Sequence, residues 1–123
     1  MYYLQKYTHL NNREENIHSG NGLISRRSIF REFSNLDVDI EEWILKPGVS
    51  EGDHIHDNDR PLEEIYYILE GCAEISISND KLLLYKDDSI MIPPNISHSI
   101  ENKGDEILRF LIIWGISNQT SNS

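Results

Sequence analysis

Along residues 73–78, Ala73, Ile75 and Ile77 alternate with Glu74, Ser76 and Ser78. A period of two puts the apolar members on one face of a half-buried strand. Shorter apolar runs with the same reading cover residues 40–46, 63–69, 82–85 and 89–92, and residues 23–33 form a further strand candidate with Arg26 and Arg27 at its centre. Residues 107–114 are apolar on both faces, which predicts a strand covered on both sides. Pro47-Gly48, Gly71, Ser78-Asn79-Asp80-Lys81 and Pro93-Pro94-Asn95 break these runs as turns. No stretch of about a dozen residues carries helical periodicity. Many short strands at close, regular intervals predict an all-β barrel or sandwich. Residues 11–16 read as a polar loop and 117–123 as a frayed polar tail.

The chain has 123 residues, enough for one domain, and 38% apolar content supplies one modest core. Eleven Lys and Arg stand against 21 Asp and Glu, a net charge of −10. That balance repels a phosphate backbone or an anionic membrane, so neither nucleic acid nor membrane is an expected partner. The longest apolar run, 110–114, is too short to cross a bilayer, and the first residues lack a signal-peptide pattern. The single cysteine, Cys72, allows no internal disulfide and reads as a small buried filler. The expected setting is the cytoplasm.

The chemistry concentrates between residues 48 and 102. His54 and His56 are two apart, so on a strand both imidazoles share a face. Glu64 lies on the next strand-like run, and His98 follows the Pro93-Pro94-Asn95 turn. Three imidazoles and one carboxylate form a ligand set for a divalent transition metal. An octahedral ion would keep positions open for water, dioxygen or substrate, and catalytic zinc sites likewise keep one open.

These residues resemble the motifs of the cupin superfamily. The first reads Gly48, five residues, His54-Ile55-His56, then Glu64, six residues, Gly71; the second reads Asp87, five residues, Pro93-Pro94-Asn95, two residues, His98, three residues, Asn102. The gap of seven residues between His56 and Glu64 is longer than usual in that family. Glu64 is preferred over Glu63 because its spacing to Gly71 fits. Asp87 and Asn95 replace motif glycines, and Asn tolerates the left-handed conformation.

The resemblance implies a double-stranded β-helix, or jelly-roll, barrel over residues 37–116. Residues 1–36 then form an N-terminal segment with a candidate dimer-forming strand. One divalent metal (Fe, Mn, Ni, Cu or Zn) would be held by His54, His56, Glu64 and His98. Alternation along 63–69 sends Tyr66 and Ile68 inward with Glu64, and Ile65, Tyr67 and Leu69 outward, where the N-terminal segment or a second subunit should cover them. A homodimer is expected. Tyr66 is the candidate proton-transferring or substrate-orienting group. Arg26 or Arg27 is a candidate to hold a substrate carboxylate, and only one of the two can face in. Trp43 and Trp114 read as packing residues, and His9 and His18 as surface residues. Glu51, Asp53, Asp57 and Asp59 read as solvated acids that disfavour highly anionic substrates. The implied function is a metal-dependent enzyme on a small organic substrate, leaning towards an oxygenase. A Lewis-acid lyase, isomerase or cyclase is the alternative, and a non-catalytic small-ligand binder a further one.

Overall fold

The structure, a computed structural model, describes residues 1–7 and 12–118. His9, expected at the surface, and residues 119–123 of the polar tail lie outside the described residues. The described chain is all β, with strands β1 Arg13–Glu15, β2 Ile24–Ser28, β3 Asp39–Leu45, β4 Ser50–His54, β5 Leu62–Glu70, β6 Ala73–Ile77, β7 Asp80–Leu84, β8 Ser89–Ile92, β9 His98–Asn102 and β10 Leu108–Ile116. They form a six-stranded antiparallel sheet in the order β1-β2-β3-β10-β5-β8 and a four-stranded one in the order β4-β9-β6-β7. This is the expected jelly-roll arrangement. Besides β1, two strands, β4 and β9, are additional to those read from hydrophobic runs. Both are short and polar in sequence, SEGDH and HSIEN. They are strands because they pair with each other and β9 with β6, not because of an apolar pattern. The polar stretch expected as a loop contains β1, which pairs with β2, and β2 is shorter than the run of residues 23–33.

The core lies between the sheets. Ile24, Leu45, Ile68, Ile75, Leu108 and Phe110 are fully buried, and the Phe110 ring packs against Tyr66 and Trp43 with centroids 5.4 and 5.7 Å away. β5 alternates as predicted, with Leu62, Glu64, Tyr66 and Ile68 buried. On the opposite face Ile65 and Tyr67 are each 37% exposed. The N-terminal segment lies elsewhere: Gln5 Nε2 reaches the Ser28 carbonyl, Tyr3 stacks on Phe33, and the Arg27 guanidinium sits over the Tyr7 ring. β10, expected to be covered on both sides, is the middle of the large sheet, yet its outward Leu111 and Ile113 are only half-buried.

The turns carry the strain that the glycine replacements imply. Asp87 and Asn95 both have positive φ, 72° and 67°, the conformation glycine adopts at least cost. Gly71 has φ of 90° and lies where a Cβ would approach the Ile107 carbonyl oxygen to 2.5 Å, so this turn does require glycine.

β3 fastens the large sheet through two buried carboxylates on opposite faces. Glu41 accepts from Arg26 Nε (2.7 Å), Trp43 Nε1 (2.8 Å), Arg13 Nη2 (2.9 Å) and Ser28 Oγ (3.2 Å). Glu42 accepts from Arg27 Nε (2.8 Å) and Arg109 Nη1 (2.7 Å). Burial alone would raise both pKa values, but the arginine and tryptophan donors hold them below the ordinary 4.5. Their stabilising contribution is therefore complete above pH 4.5 and is lost as pH falls through the lowered folded values. Glu41→Gln should cost about 3 kcal/mol in urea unfolding at pH 7, because it breaks a buried pair. It should also flatten the acid limb of the stability curve; an unchanged limb would show that Glu41 is not what acid titrates.

Candidate metal centre

Three strands and the loop after β4 bring the histidines and Glu64 together at one end of the core. His54 ends β4 and His98 opens β9, and the two are directly paired across the ladder. His56 lies just past β4, and Glu64 points inward from β5. Tyr66, two positions along, donates from its hydroxyl to Glu64 Oε2 at 2.8 Å. That leaves Glu64 Oε1 facing the imidazoles: His98 Nε2 is 3.4 Å and His54 Nε2 3.6 Å away, and His56 Nε2 is in direct contact. All four ligand-type atoms lie within 4.8 Å of one another. Neighbouring donors around an ion bound at about 2.1 Å would stand roughly 3 Å apart, so this spacing is that of a ligand cage.

The protonation pattern sharpens this. His54 Nδ1 lies 3.0 Å from the Gly52 carbonyl and His98 Nδ1 2.9 Å from the Ile96 carbonyl. A carbonyl only accepts, so each Nδ1 carries the proton and each Nε2 presents a bare lone pair. Those two Nε2 atoms are buried and have no hydrogen-bond partner. Leaving one buried polar atom unsatisfied costs about 1–3 kcal/mol, and two beside a carboxylate call for a cation. His54, His56, Glu64 and His98 thus fit a divalent metal, with the Nδ1 bonds fixing ring orientation as outer partners of metal ligands do. Burial alone would raise Glu64, but the imidazoles of His54 and His98 beside it hold it well below the usual carboxylate range.

Two residues read from the sequence as peripheral belong to this centre. Glu51, expected to be solvated, is 2% exposed. It stands three positions before His54, a spacing that normally selects opposite faces. A register shift between Glu51 and His54 in the β4–β9 pairing inserts an extra residue and turns both inward. Gly52 permits it, since a Cβ there would collide with the His18 carbonyl; a glycine inside a strand was the available sequence signal. Burial, reinforced by Glu64's charge, pushes the Glu51 carboxyl up to about 7. Its Oε1 accepts from Tyr66 at 3.1 Å, and its Oε2 lies 3.5 Å from His54 Nε2. His18, with φ of 52°, stacks on His54 at 3.9 Å, with the rings 12° from parallel. His18, Glu51 and His54 also place ligand-type atoms within 4.8 Å of one another, with the His18 ring lying flat over His54. Burial and the neighbouring imidazoles lower its pKa to about 4, so it is neutral at pH 7.

Tyr66 is fully buried between two carboxylates, and burial followed by their charges raises its phenol well above the ordinary value. Its single proton is shared between the two carboxylates, so it is not a ready base. A cavity of about 270 Å³ opens beside the cluster, lined by Ile17, His18, Arg26, Arg31, Trp43, Glu51, His56, Arg60, Leu62, Glu64, Ile112 and Trp114. Of the two candidate arginines, Arg26 is the one that faces in, while Arg27 bonds Glu42 on the other face. Arg26 is engaged by Glu41 and by Glu15 (3.2 Å) and lies 5.3 Å over the Trp43 ring. The two tryptophans expected as packing also wall this cavity. A larger hollow of about 380 Å³ borders β4 and β9, but its lining includes Ser50, Asp53, Ser76 and Ser99 and no histidine.

A family model for the cupin domain, Cupin_2, matches residues 41–114, well over half of the chain and including all four ligand-type residues. The chain belongs to the cupin family. An uncharacterised protein of Methanocaldococcus jannaschii is 49% identical over 49 residues, 40% of this chain and 39% of that protein. The chain thus spans well under half the length of the curated relative it matches there. Among solved structures, a predicted oxalate decarboxylase from Thermotoga maritima superposes with a TM-score of 0.84 at 24% identity, covering 94% of this chain and 100% of the other. A Cupin 2 conserved barrel domain protein from Salinispora arenicola gives 0.74 at 22% identity, covering 95% and 90%. At these identities the likeness establishes the cupin fold.

Elemental analysis of protein reconstituted with a divalent transition metal should find close to one ion per chain, and His98→Ala should abolish retention. Glu64 and Glu51 outweigh the burial of His54 and hold its pKa above the usual 6.5. Protons therefore compete for this ligand at higher pH than for an ordinary histidine, and metal affinity should fall as pH drops from 8 to 6. PH-independent affinity would show that the imidazoles are not the ligands.

Proposed function

We propose that this cupin is a metal-dependent enzyme acting on a small organic molecule held in the 270 Å³ cavity, with an oxygenase as the leading reaction class. The observation that carries the reading is the pair of bare, buried Nε2 atoms of His54 and His98 directed at Glu64 beside that cavity. A divalent ion held by His54, His56, Glu64 and His98 would supply Lewis acidity and, if redox-active, dioxygen chemistry. Tyr66 orients Glu64 and Glu51 through its two hydrogen bonds. Arg26 braces the Trp43 wall against which a substrate would lie. Ile17, Leu62 and Ile112 help exclude water from the cavity. The reading sets the protein in the cytoplasm, where Cys72 stays a free thiol.

A second reading, a lyase or isomerase that uses the metal only to polarise substrate, is favoured by Glu51. A buried carboxyl near pKa 7 is matched to taking and giving a proton at neutral pH. Oxygen uptake separates the two. Protein loaded anaerobically with Fe, Mn, Ni, Cu or Zn is to be exposed to small carboxylates, phenols and diketones. Uptake with a redox metal and one substrate class is the expected result, and turnover without uptake selects the second reading. Glu64→Ala should lower activity by at least about 100-fold with the circular dichroism unchanged. Failure to take up any metal would overturn both readings.

We further propose a homodimer. Ile65, Tyr67 and Met91 leave an apolar patch on the outer face of the large sheet, and Tyr2, Leu4 and Tyr7 in the N-terminal segment are more than half exposed. Single chains seldom expose so much clustered apolar surface. Sedimentation equilibrium should return about twice the 14.3 kDa chain mass, and Ile65→Glu should shift the protein to monomer. A monomeric wild type at tens of micromolar would refute it.

A further inference from the structure

The cavity is lined by three arginines in a chain whose net charge is −10. Two of them have carboxylate partners: Arg26 is bonded to Glu41 and Glu15, and Arg31 Nε lies 3.4 Å from Asp39. Among the described residues, Arg60 has no acidic partner within 4.0 Å, although Asp57 and Asp59 are its near neighbours in sequence.

Its position is built rather than accidental. The loop between β4 and β5 is tied at both ends: the Asn95 amide donates to the His56 carbonyl at 2.7 Å and the Ser117 amide to the Pro61 carbonyl at 2.9 Å. Within it the Arg60 amide donates to the Asp57 carbonyl at 3.2 Å, and the Leu62 amide to the Arg60 carbonyl at 2.8 Å. These bonds hold Arg60 at the cavity that also contains His56, with Trp43 and Trp114 among its walls. The lining therefore combines an arginine with no acidic partner among the described residues, two tryptophans and metal-ligand side chains.

We propose that Arg60 is a specificity-determining residue that binds the carboxylate of a small monoanionic organic acid with a flat apolar body. The oxygen-bearing end of the acid then faces His56. This rests on the metal-dependent reading above and adds the substrate class to it. The guanidinium fork matches a carboxylate with two parallel hydrogen bonds. A single free cation balances one negative charge, and the acidic chain around it penalises a second, which favours a monocarboxylate over a phosphate dianion.

The test is calorimetric titration of zinc-loaded protein with 3,4-dihydroxybenzoate and with its neutral isostere 3,4-dihydroxybenzamide, with zinc content measured in the same samples. The acid should bind roughly tenfold or more tightly than the amide, the range of a hydrogen bond to a charged group. Arg60→Gln should erase that preference at unchanged zinc content, and Arg60→Lys should restore part of it. Arg60 is exposed, so neither variant threatens the fold. Equal affinities for acid and amide in the wild type, a preference that survives in Arg60→Gln, or no binding of either would overturn the proposal. If zinc is not retained, the metal-dependent reading fails on its own. The acid-to-amide ratio is then read on the metal-free protein, with the same outcomes deciding.

Discussion

The site depends on a constraint of proton placement. Backbone carbonyls of Gly52 and Ile96 take the Nδ1 protons of His54 and His98, and Tyr66 takes one oxygen of Glu64. What remains is a set of lone pairs crowded into one buried spot. Like-for-like electron pairs at 3.4–3.6 Å repel unless a cation or a proton lies among them. Everything near the centre is arranged around that demand. The bulge in β4 brings Glu51 inward, the His18 ring lies flat on His54, and the cavity opens on the side of His56 and Glu64.

Most strands and all four ligand-type residues were legible because two kinds of signal were local. Period-two alternation placed β5 and β6, and on β5 the spacing to Gly71 separated Glu64, which turns in, from Glu63, which does not. The Asp87 and Asn95 substitutions were legible for the same reason: each sits at a positive φ that those residue types tolerate. β4 and β9 were not legible, since nine of their ten residues are polar or glycine and only pairing makes them strands. Glu51 was hidden because its inward turn depends on a register shift, which no alternation rule foresees. His18 was hidden because it meets His54 from 36 positions away in the chain, across a close contact of Gly52 with the His18 carbonyl. Arg60 sat among acids in sequence, and only the folded loop sets it at the cavity.

Charge is handled differently on the two sides of the large sheet. Glu41 and Glu42 are neighbours on β3, yet each faces away from the other and meets its own pair of arginines. Arg26 therefore has a framework role whatever else it does. It joins β1, β2 and β3 through two carboxylates and keeps Trp43 in place from above. The sheet edge and the cavity wall are in this sense one unit, and a change at Glu41 would be felt at the indole.

The chain contains two tryptophans, and both wall the same small cavity. Trp43 is nearly sealed within the core and Trp114 only partly covered. Ultraviolet emission from this molecule therefore originates almost wholly at the chamber beside the histidines, with one fluorophore shielded and the other open to whatever enters. The fold carries its own optical gauge of occupancy, with no label required.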